Sequence, residues 1–401
     1  MKQTANEGGS PGHKGLPKLN KRKLSRNARN QKKKIREKFG IKIPRNTKEA
    51  LLLDKKNGDS KWAEAICKEM DALERLGVFQ YHDARTKFHQ QDGWQYAPMH
   101  MIFDIKHDLR RKARFVVGGH VIDSSEHTTY SSTIKDISVR LMMLVAAKYG
   151  LGMISGDIGN AFCTAPCAEK IWSVAGEQLG DRKGAIVVLN QALYGLKTAS
   201  ASFHKFLGDF LREMGFEPTR ADQDLWIKKS EQYEGYDYIA THVDDIIIVA
   251  KNPLEYMSHI EQHFQVRDVT DSPEYYLGNN IAKRNGKMVI STKKYLKEVL
   301  RKYQEKHGAL PKENLPLKPK EQPELDNSEF ANKDEHKEYQ HIIRVGQWLV
   351  VSGRLDITHA VSLLSRFSAM PRVGHLKLAR KIFGYLKKYP KRGYVINPTP
   401  L

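Results

Sequence analysis

Two adjacent aspartates, Asp244 and Asp245, interrupt an otherwise apolar stretch of the chain, THVDDIIIVA over residues 241–250. Burying an unpaired carboxylate costs on the order of several kcal/mol, so the two acids require either exposure at a tight turn or capture of a cation. A β-turn over Val243–Ile246 would direct both acids the same way, which a straight strand cannot do because successive side chains point to opposite faces. The same pattern also fits an ordinary hairpin with aspartates in its turn.

A third acid, Asp157, follows a short apolar strand in MISGDIGNAFCTAP and is the only acid in that stretch. Three carboxylates provide hard oxygen ligands that can hold two Mg²⁺ ions about 4 Å apart. Such a pair of ions activates an attacking 3′-hydroxyl and stabilises a leaving pyrophosphate, because phosphoryl transfer depends mainly on positioning and charge compensation. Asp157, Asp244 and Asp245 are therefore candidate metal ligands.

The positive charge of the chain is concentrated at its N-terminal end. Of the net charge of +21, residues 1–46 contribute +13, with 15 Lys and Arg against Glu7 and Glu37. No apolar periodicity accompanies this charge, so we predict a disordered basic arm. Such an arm could neutralise phosphates without sequence preference, or act as a nuclear address. It could equally be a solubilising tail or a linker from a longer chain.

Beyond residue 46 the sequence predicts a globular α+β fold, because helical and strand patterns mix without regular βαβ alternation. Apolar spacing predicts helices at 61–76, 137–150, 200–214, 253–266 and 293–303, and a helical region over 339–388. Alternating or apolar runs predict strands within 97–122, 153–158, 184–193, 224–251 and 275–292. Gly77 ends the first helix, and Asn285-Gly286 predicts a hairpin turn. Residues 308–337 are rich in Pro, Lys and Glu and are predicted to be a linker.

Several function classes are excluded by what the sequence lacks. Three cysteines, Cys67, Cys163 and Cys167, are too few for a disulfide framework and indicate a reducing compartment. We interpret the CxxxC pair as packed or incidental rather than zinc-binding, because no second Cys/His pair is near it in sequence. No apolar run approaches the roughly 20 residues that span a bilayer. The sequence contains neither a P-loop nor a GxSxG nucleophile elbow.

Beyond these individual features, the order of several segments carries a family resemblance. These segments are WAEAICKEMDALERLGVF, KARFVVGGH, ISVRLMMLVAAKYG, GDIGNAF, QALYGLKTASASF, THVDDIIIVAK, YYLGNNI, STKKYLKEVLRKY and DITHAVSLLSRF. They resemble the reverse transcriptase of Ty/copia-type LTR retrotransposons over most of residues 61–395. The resemblance implies an RNA-directed DNA polymerase, part of a Pol polyprotein, with the α+β right-handed polymerase fold of fingers, palm and thumb.

The resemblance also implies an order of domains. Behind the basic arm at 1–46 come fingers and palm over 47–285, a thumb-like helix and linker over 286–338, and a connection-like helical segment over 339–401. We find no RNase H carboxylates after this segment and no protease or integrase motifs before it, which indicates a polyprotein fragment or a truncated gene model. The expected location is the cytoplasm, in a virus-like particle, or the nucleus, or both.

The catalytic residues are matched one by one. Asp157 matches the first palm carboxylate of the family, and Asp244 and Asp245 match the pair at the palm hairpin, where together they would hold two Mg²⁺ ions or Mn²⁺ in their place. Phe162 matches the aromatic gate whose ring leaves no room for a ribose 2′-hydroxyl and so selects dNTP over rNTP. The alternative for Phe162 is a core aromatic.

Further matches surround the incoming nucleotide. Lys112 and Arg114 match fingers cations that bind the triphosphate, Arg in a bidentate manner and Lys as a point charge. An exposed strand with alternating charge is their alternative. In QALYGLKTAS, Tyr194 would line the pocket, Gly195 would permit close backbone approach, and Lys197 would face phosphate.

The primer end has its own matches and some departures from the family. Leu277 and Gly278 match the hairpin that steadies the primer end, with His242 beside it, and an ordinary hairpin is the alternative. His242 stands where the family usually has Tyr or Phe, while Ser200 and Leu355 each replace a usual Pro. The segment CTAPCAEK replaces the usual Asn-Gly turn. None of these departures removes a predicted metal ligand.

The implied partners are an RNA template, a DNA or RNA primer and dNTPs, with no membrane. Arg140, on an apolar helix, is predicted to pair with a buried acid or to reach template phosphate. Because of the departures, one alternative function is a catalytically decayed remnant that acts only as a basic nucleic-acid-binding protein. A further hypothesis is that polymerisation requires the missing RNase H domain or a second subunit.

Overall fold

The computed structural model describes residues 36–106, 108–284 and 287–397. Helices α1 to α9 span, in chain order, Thr47–Asn57, Lys61–Arg75, Asp136–Tyr149, Ala199–Glu213, Pro253–His263, Lys293–His307, Lys333–Val351, Thr358–Ser365 and Val373–Lys388. Strands β1 to β18 span, in chain order, Glu37–Lys38, Ile41–Lys42, Phe79–His82, Gln95–Tyr96, Met99–Ile105, Arg111–Val117, Gly152–Ile158, Ile171–Val174, Ile186–Leu189, Glu217–Pro218, Leu225–Lys229, Tyr236–His242, Asp245–Ala250, Val266–Asp271, Tyr275–Tyr276, Asn279–Arg284, Lys287–Ser291 and Gly393–Ile396. This mixture of elements confirms the predicted α+β class.

These elements form two compact units. Within the described residues, unit 1 comprises 36–122 and 171–188, and unit 2 comprises 123–170 and 189–397. Unit 2 runs past both predicted subdomain boundaries, so the assignment of its segments as palm, thumb and connection stays a prediction. None of the helices in the described part of the chain has the length and apolar character needed to span a bilayer.

Unit 1 contains the first predicted helix, α2, and the hairpin of β5 and β6. Trp62 and Leu73 are among the apolar residues that α2 buries, and the helix is followed by Gly77 at a φ of 66°, as predicted. The carboxylate of Asp54 in α1 accepts hydrogen bonds from the backbone N–H groups of Trp62 and Ala63, so it satisfies amides that the first turn of α2 leaves open. A second sheet has the order β3-β9-β8-β4.

The prediction of a disordered basic arm over residues 1–46 is wrong for its last part. Residues 1–35 lie outside the described residues, but β1 pairs with β2 in an antiparallel hairpin, and Ile43 is buried. The ammonium of Lys38 lies 2.7 Å from the carboxylate of Asp104 on β5. The sequence did not predict this hairpin because its few apolar residues are scattered among many charged ones and form no recognisable pattern.

Unit 2 is built on a sheet of antiparallel strands in the order β10-β11-β12-β13-β7-β14. Because side chains alternate along β13, Ile246 and Ile248 face a core shared with α4 and α5, whereas Ile247 and Val249 face a core shared with α3. Burial on both faces explains why the sequence here is an uninterrupted apolar run. It also anchors β13, which begins at Asp245, directly after Asp244.

The remainder of unit 2 holds a second sheet, β15-β16-β17-β18, and the helices α6 to α9. The predicted Asn285-Gly286 turn lies outside the described residues, between β16 and β17. Buried side chains of the four helices form one apolar cluster, in which Leu296, Ile342, Leu364 and Phe383 are 0% exposed. This cluster confirms that the region after residue 339 is helical.

The predicted linker at 308–337 is wrong in two respects. Helix α7 already begins at Lys333, after Asn332 caps it by accepting hydrogen bonds from two backbone N–H groups. Leu310 and Pro323 are buried, so the segment packs against the helical cluster. Its Pro-, Lys- and Glu-rich composition concealed these few apolar anchors.

Candidate active site

The three predicted aspartates lie where two neighbouring strands meet a hairpin loop. In the antiparallel pair of β7 and β13, Asp157 is the register partner of Asp245. Asp244 lies in the two-residue loop between β12 and β13, where His242 pairs with Asp245. The turn therefore lies one residue earlier than predicted. Asp245 is already a strand residue, and strand pairing rather than a shared turn brings it to Asp157.

The first residue of this loop, Val243, adopts a φ of 59°. Two-residue hairpin loops require positive φ at this position, which Gly, Asn or Asp normally provides. For a β-branched residue the conformation is an outlier, of the kind that costs about 1–3 kcal/mol and persists only where surrounding structure imposes it. The N–H of Ile158 donates to the carbonyl of Asp244 at 2.8 Å. The loop that carries Asp244 is thus strained and is tied to the end of β7.

The site carries more negative charge than its surroundings neutralise. All three aspartates are half-buried. Burial and repulsion from Asp244 and Asp245 raise the pKa of Asp157 to about 6, although the positive charge of Arg267 opposes this rise. Burial and repulsion from Asp244 likewise raise the pKa of Asp245, against an opposing effect of His242.

The aspartates form an open group rather than a closed ligand shell. Across residues 36–106, 108–284 and 287–397, no three His, Cys, Asp or Glu side chains converge as a ready-made metal site. The donor chemistry nevertheless fits a hard divalent cation, because a cation bound among carboxylates with raised pKa values relieves their repulsion. Asp157, Asp244 and Asp245 are the residues that could hold it.

The structure brings together two of the residues predicted at the nucleotide. Phe162 lies in a short 3-10 helix after β7 and is half-buried, with its ring centroid 5.4 Å from Tyr194 and 6.3 Å from Phe203. Gly195 follows Tyr194 at a φ of 102°, a conformation that favours glycine. The side chain of Lys197 is exposed two residues later. Phe162 and Tyr194 thus form a partly exposed aromatic pair at the edge of the apolar core.

The hairpin predicted at the primer end is also close to the aspartates. Leu277 and Gly278 form the loop between β15 and β16 with φ values of 44° and 80°. A Cβ on Gly278 would lie 2.8 Å from the ring of Trp348 in α7, so no larger residue fits there. Burial, with the charge of Asp245, raises the pKa of the buried Tyr276, which places this hairpin within electrostatic reach of that aspartate.

Lys112 and Arg114 belong to unit 1, whereas the aspartates belong to unit 2. They are half-buried on β6 and share one face of the strand, while Ala113 and Phe115 are buried on the other. Asp104 is the register partner of Lys112 on β5. Two predictions for Lys112 and Arg114 therefore stay open: that they bind a triphosphate, and that they belong to an exposed strand of alternating charge.

Sequence reasoning missed two charged residues beside Asp157. Arg267 on β14 is its second register partner, and Asp268 follows at an irregularity in the strand with a φ of 51°. The charge of Asp268 adds to the rise in the pKa of Asp157. No local sequence signal marks either residue, because only the pairing of β14 with β7 places them there.

Two further predictions have definite outcomes. Among the residues that the structure describes, Arg140 forms no ion pair with a buried acid; its guanidinium donates to the carbonyl of Val351 and lies 5.2 Å from the ring centroid of Tyr394. Cys163 is buried and the half-buried Cys167 donates its thiol to a backbone carbonyl, so both are packed as predicted.

Comparison with known proteins gives one family and several relatives. Residues 90–312 match the family described as Reverse transcriptase (RNA-dependent DNA polymerase). The Retrovirus-related Pol polyprotein from transposon RE1 of Arabidopsis thaliana is 28% identical over 72% of this chain and 20% of its own length. The corresponding polyprotein from transposon TNT 1-94 of Nicotiana tabacum is 25% identical over 86% of this chain and 26% of its own length. The chain therefore spans about a fifth to a quarter of these relatives.

A shorter relative and a solved structure also match. The Putative transposon Ty5-1 protein of Saccharomyces cerevisiae is 28% identical over 57% of this chain and 74% of its own length. The structure of the foamy viral protease-reverse transcriptase in complex with dsDNA aligns with a TM-score of 0.42 and 13% identity, covering 82% of this chain and 58% of that chain.

Proposed function

Because the chain belongs to the reverse transcriptase (RNA-dependent DNA polymerase) family, which its residues 90–312 match, we propose that it extends a primer 3′ end with dNTPs on an RNA template. Its resemblance to copia-type reverse transcriptases is confirmed by that family and by the transposon Pol polyproteins among its relatives. We further propose that the chain is the polymerase segment of such a polyprotein.

The observation that carries this proposal is the pairing of Asp157 with Asp245 beside the loop residue Asp244. Three carboxylates from two adjacent strands and their hairpin form a concentration of negative charge that raises the pKa of Asp157 to about 6. A fold that needed only a hairpin at this position would gain nothing from such repulsion. A site that binds divalent cations would require it.

Asp157, Asp244 and Asp245 would hold two Mg²⁺ ions, or Mn²⁺ in their place. When bound, these ions would supply charge stabilisation for phosphoryl transfer. The strained Val243 loop and its hydrogen bond from Ile158 keep Asp244 in place, so little reorganisation is needed at the moment of reaction. The primer 3′-hydroxyl would attack the α-phosphorus of the dNTP, and pyrophosphate would leave.

The chain's other predicted residues would position the substrates. The aromatic pair of Phe162 and Tyr194 would lie under the sugar and exclude a 2′-hydroxyl, and Lys197 would bind phosphate. Lys112 and Arg114 would offset the charge of the triphosphate. At the primer end, the hairpin of Leu277 and Gly278, with His242, would hold the terminal nucleotide.

The proposed partners are an RNA template, a DNA or RNA primer and dNTPs, in a particle in the cytoplasm or in the nucleus. The positive charge of the chain, +21, supports sequence-independent affinity for nucleic acid that weakens as salt increases. A separate hypothesis is that polymerisation requires an RNase H domain or a second subunit, in which case adding that domain in trans would restore it.

The experiment is primer extension on an RNA template with Mg²⁺ and dNTPs. The intact chain is compared with the Asp244→Asn/Asp245→Asn double variant and with Asp209→Asn, which alters a half-buried acid on α4 that pairs with Lys205 and Arg212. We expect extension by the intact chain and by Asp209→Asn and none by the double variant. Template–primer binding without extension, with or without added RNase H domain, would instead favour the decayed remnant.

A further inference from the structure

A buried carboxylate, seven residues after Phe162, contacts a residue four positions after Tyr194. Glu169 is only 4% exposed, and it accepts a hydrogen bond from the hydroxyl of Ser124 at 2.7 Å and from that of Thr198 at 2.8 Å. Within the described residues, no Lys, Arg or His side chain forms an ion pair with it. The described polar contacts of the Glu169 side chain therefore come from two neutral hydroxyl donors.

Such a carboxylate is retained at a cost. Burying it without a cation costs on the order of several kcal/mol, and two hydroxyl groups compensate only part of this. Thr198 is the N-cap residue of α4, where the helix dipole favours a negative charge. Threonine at an N-cap usually accepts a hydrogen bond from the first turn, but Thr198 has a helical backbone and makes no such cap. Its hydroxyl donates instead to Glu169.

Backbone pairing connects this contact to the aromatic pair. The N–H of Cys167 donates to the carbonyl of Asn190 at 2.9 Å, and the N–H of Ala192 donates to the carbonyl of Ala165 at 2.8 Å. The segments 162–169 and 190–198 thus run side by side. Their pairing is antiparallel at Pro166 and Gln191, so Phe162 aligns with the Tyr194 end and Glu169 with the Asn190 end. The hydroxyl of Thr198, four residues after Tyr194, then connects the two ends by its hydrogen bond to Glu169.

We propose that Glu169 is a positioning residue that, through Thr198, fixes Phe162 against Tyr194 and thereby sets the discrimination between dNTPs and rNTPs. This inference rests on the proposed function. Exclusion of a single oxygen depends on the position of the ring, and displacements of about 1 Å at an active site change rates by about a hundredfold. Loosening the Glu169 contact would therefore admit rNTPs before it abolishes dNTP incorporation.

The first test compares kcat/KM for dNTP and rNTP incorporation. Thr198→Val removes the hydroxyl at nearly constant volume, Glu169→Gln removes the charge, and Phe162→Ala serves as the reference for a lost gate. The control is Ser138→Ala, which removes a hydroxyl that donates to the buried carboxylate of Asp222 at 2.5 Å in the same unit. We expect the dNTP/rNTP ratio to fall about tenfold in Thr198→Val and Glu169→Gln, mainly through faster rNTP incorporation, and to stay within about twofold in Ser138→Ala.

An unchanged ratio in Thr198→Val and Glu169→Gln, with a ratio that falls in Phe162→Ala, would overturn the positioning role and leave the proposed function intact. If Thr198→Val does not fold, Ser124→Ala replaces it. Both are compared for stability with Ser138→Ala.

A second test does not depend on polymerase activity. A double-mutant cycle in urea unfolding combines Phe162→Leu with Thr198→Val, or with Ser138→Ala as the control. If the changes in urea midpoint are non-additive for the first pair and additive for the second, they support the positioning role. This holds even if no nucleotide is incorporated, a result in which only the proposed function fails. Additivity in both pairs would overturn the inference.

Discussion

At the strained loop residue Val243, glycine should be more stable than alanine, which is the reverse of their order within a helix. Val243 has a φ of 59°, a region that alanine occupies at a cost of about 1–2 kcal/mol and glycine at almost none. Glycine in turn lowers the free energy of unfolding by about 0.4–1 kcal/mol relative to alanine, because it makes the unfolded chain more flexible. Val243→Gly should therefore be more stable than Val243→Ala by about 0.5–1 kcal/mol.

The matched position is Leu141, which is 51% exposed in the middle of α3. There the order is reversed, because glycine within a helix is about 1 kcal/mol less favourable than alanine. The assay is urea unfolding of the four variants, followed by circular dichroism, with each pair compared at its own position. Both variants at a position lack the original side chain, so the effect of its loss cancels when alanine is compared with glycine.

A higher stability for alanine than for glycine at both positions would refute the argument, since it would mean that residue 243 is unstrained. We also expect Val243→Gly to extend primers more slowly than the intact chain, although its loop is relaxed. Glycine no longer fixes the loop, so Asp244 is less well positioned for catalysis.

Three further predictions concern charge. The pKa of Asp157 is about 6 in the folded chain against an ordinary value of 3.8. Its protonation therefore stabilises the metal-free fold fully below pH 3.8, and this contribution is lost as the pH rises through about 6. Urea unfolding across this range should show that the free energy of unfolding no longer depends on this titration in Asp157→Asn. Because protons compete with Mg²⁺ for the carboxylates, the Mg²⁺ concentration needed for primer extension should rise steeply below pH 6. Arg267→Gln should move the start of this rise to higher pH, whereas Arg267→Lys should not. Asp356→Asn should lower the free energy of unfolding by about 3–5 kcal/mol, because it leaves the guanidinium of Arg354, 1% exposed, without its carboxylate; Asp334→Asn, which breaks an exposed pair with Lys337, should cost about 0–1 kcal/mol in the same urea titration.

Much of the local structure followed from sequence because local rules and tertiary packing agree. The period of apolar residues predicted α2, and Gly77 marked its end, since a left-handed residue there suits glycine. The run that follows Asp245 predicted a strand and the structure buries it on both faces. Apolar anchors such as Leu310 were missed because their neighbours are Pro, Lys and Glu.

The sequence predicted candidate residues for the site but not how they are arranged. Motif order identified Asp157 and Asp245, but only the sheet register pairs them. The predicted turn was displaced by one residue because valine at positive φ contradicts every local preference, so propensity gave no reason to place Val243 there. Arg267 and Glu169 carry no motif, and their positions depend on contacts between distant segments.

The proposed function depends above all on a divalent-cation site formed by Asp157, Asp244 and Asp245. Electron paramagnetic resonance of Mn²⁺, titrated into the intact chain with template–primer and a non-hydrolysable dNTP analogue, measures the number of bound ions directly. We expect about two ions per chain and loss of this binding in Asp157→Asn and in Asp244→Asn/Asp245→Asn, but not in Asp209→Asn. Unchanged Mn²⁺ binding in both aspartate variants would contradict it.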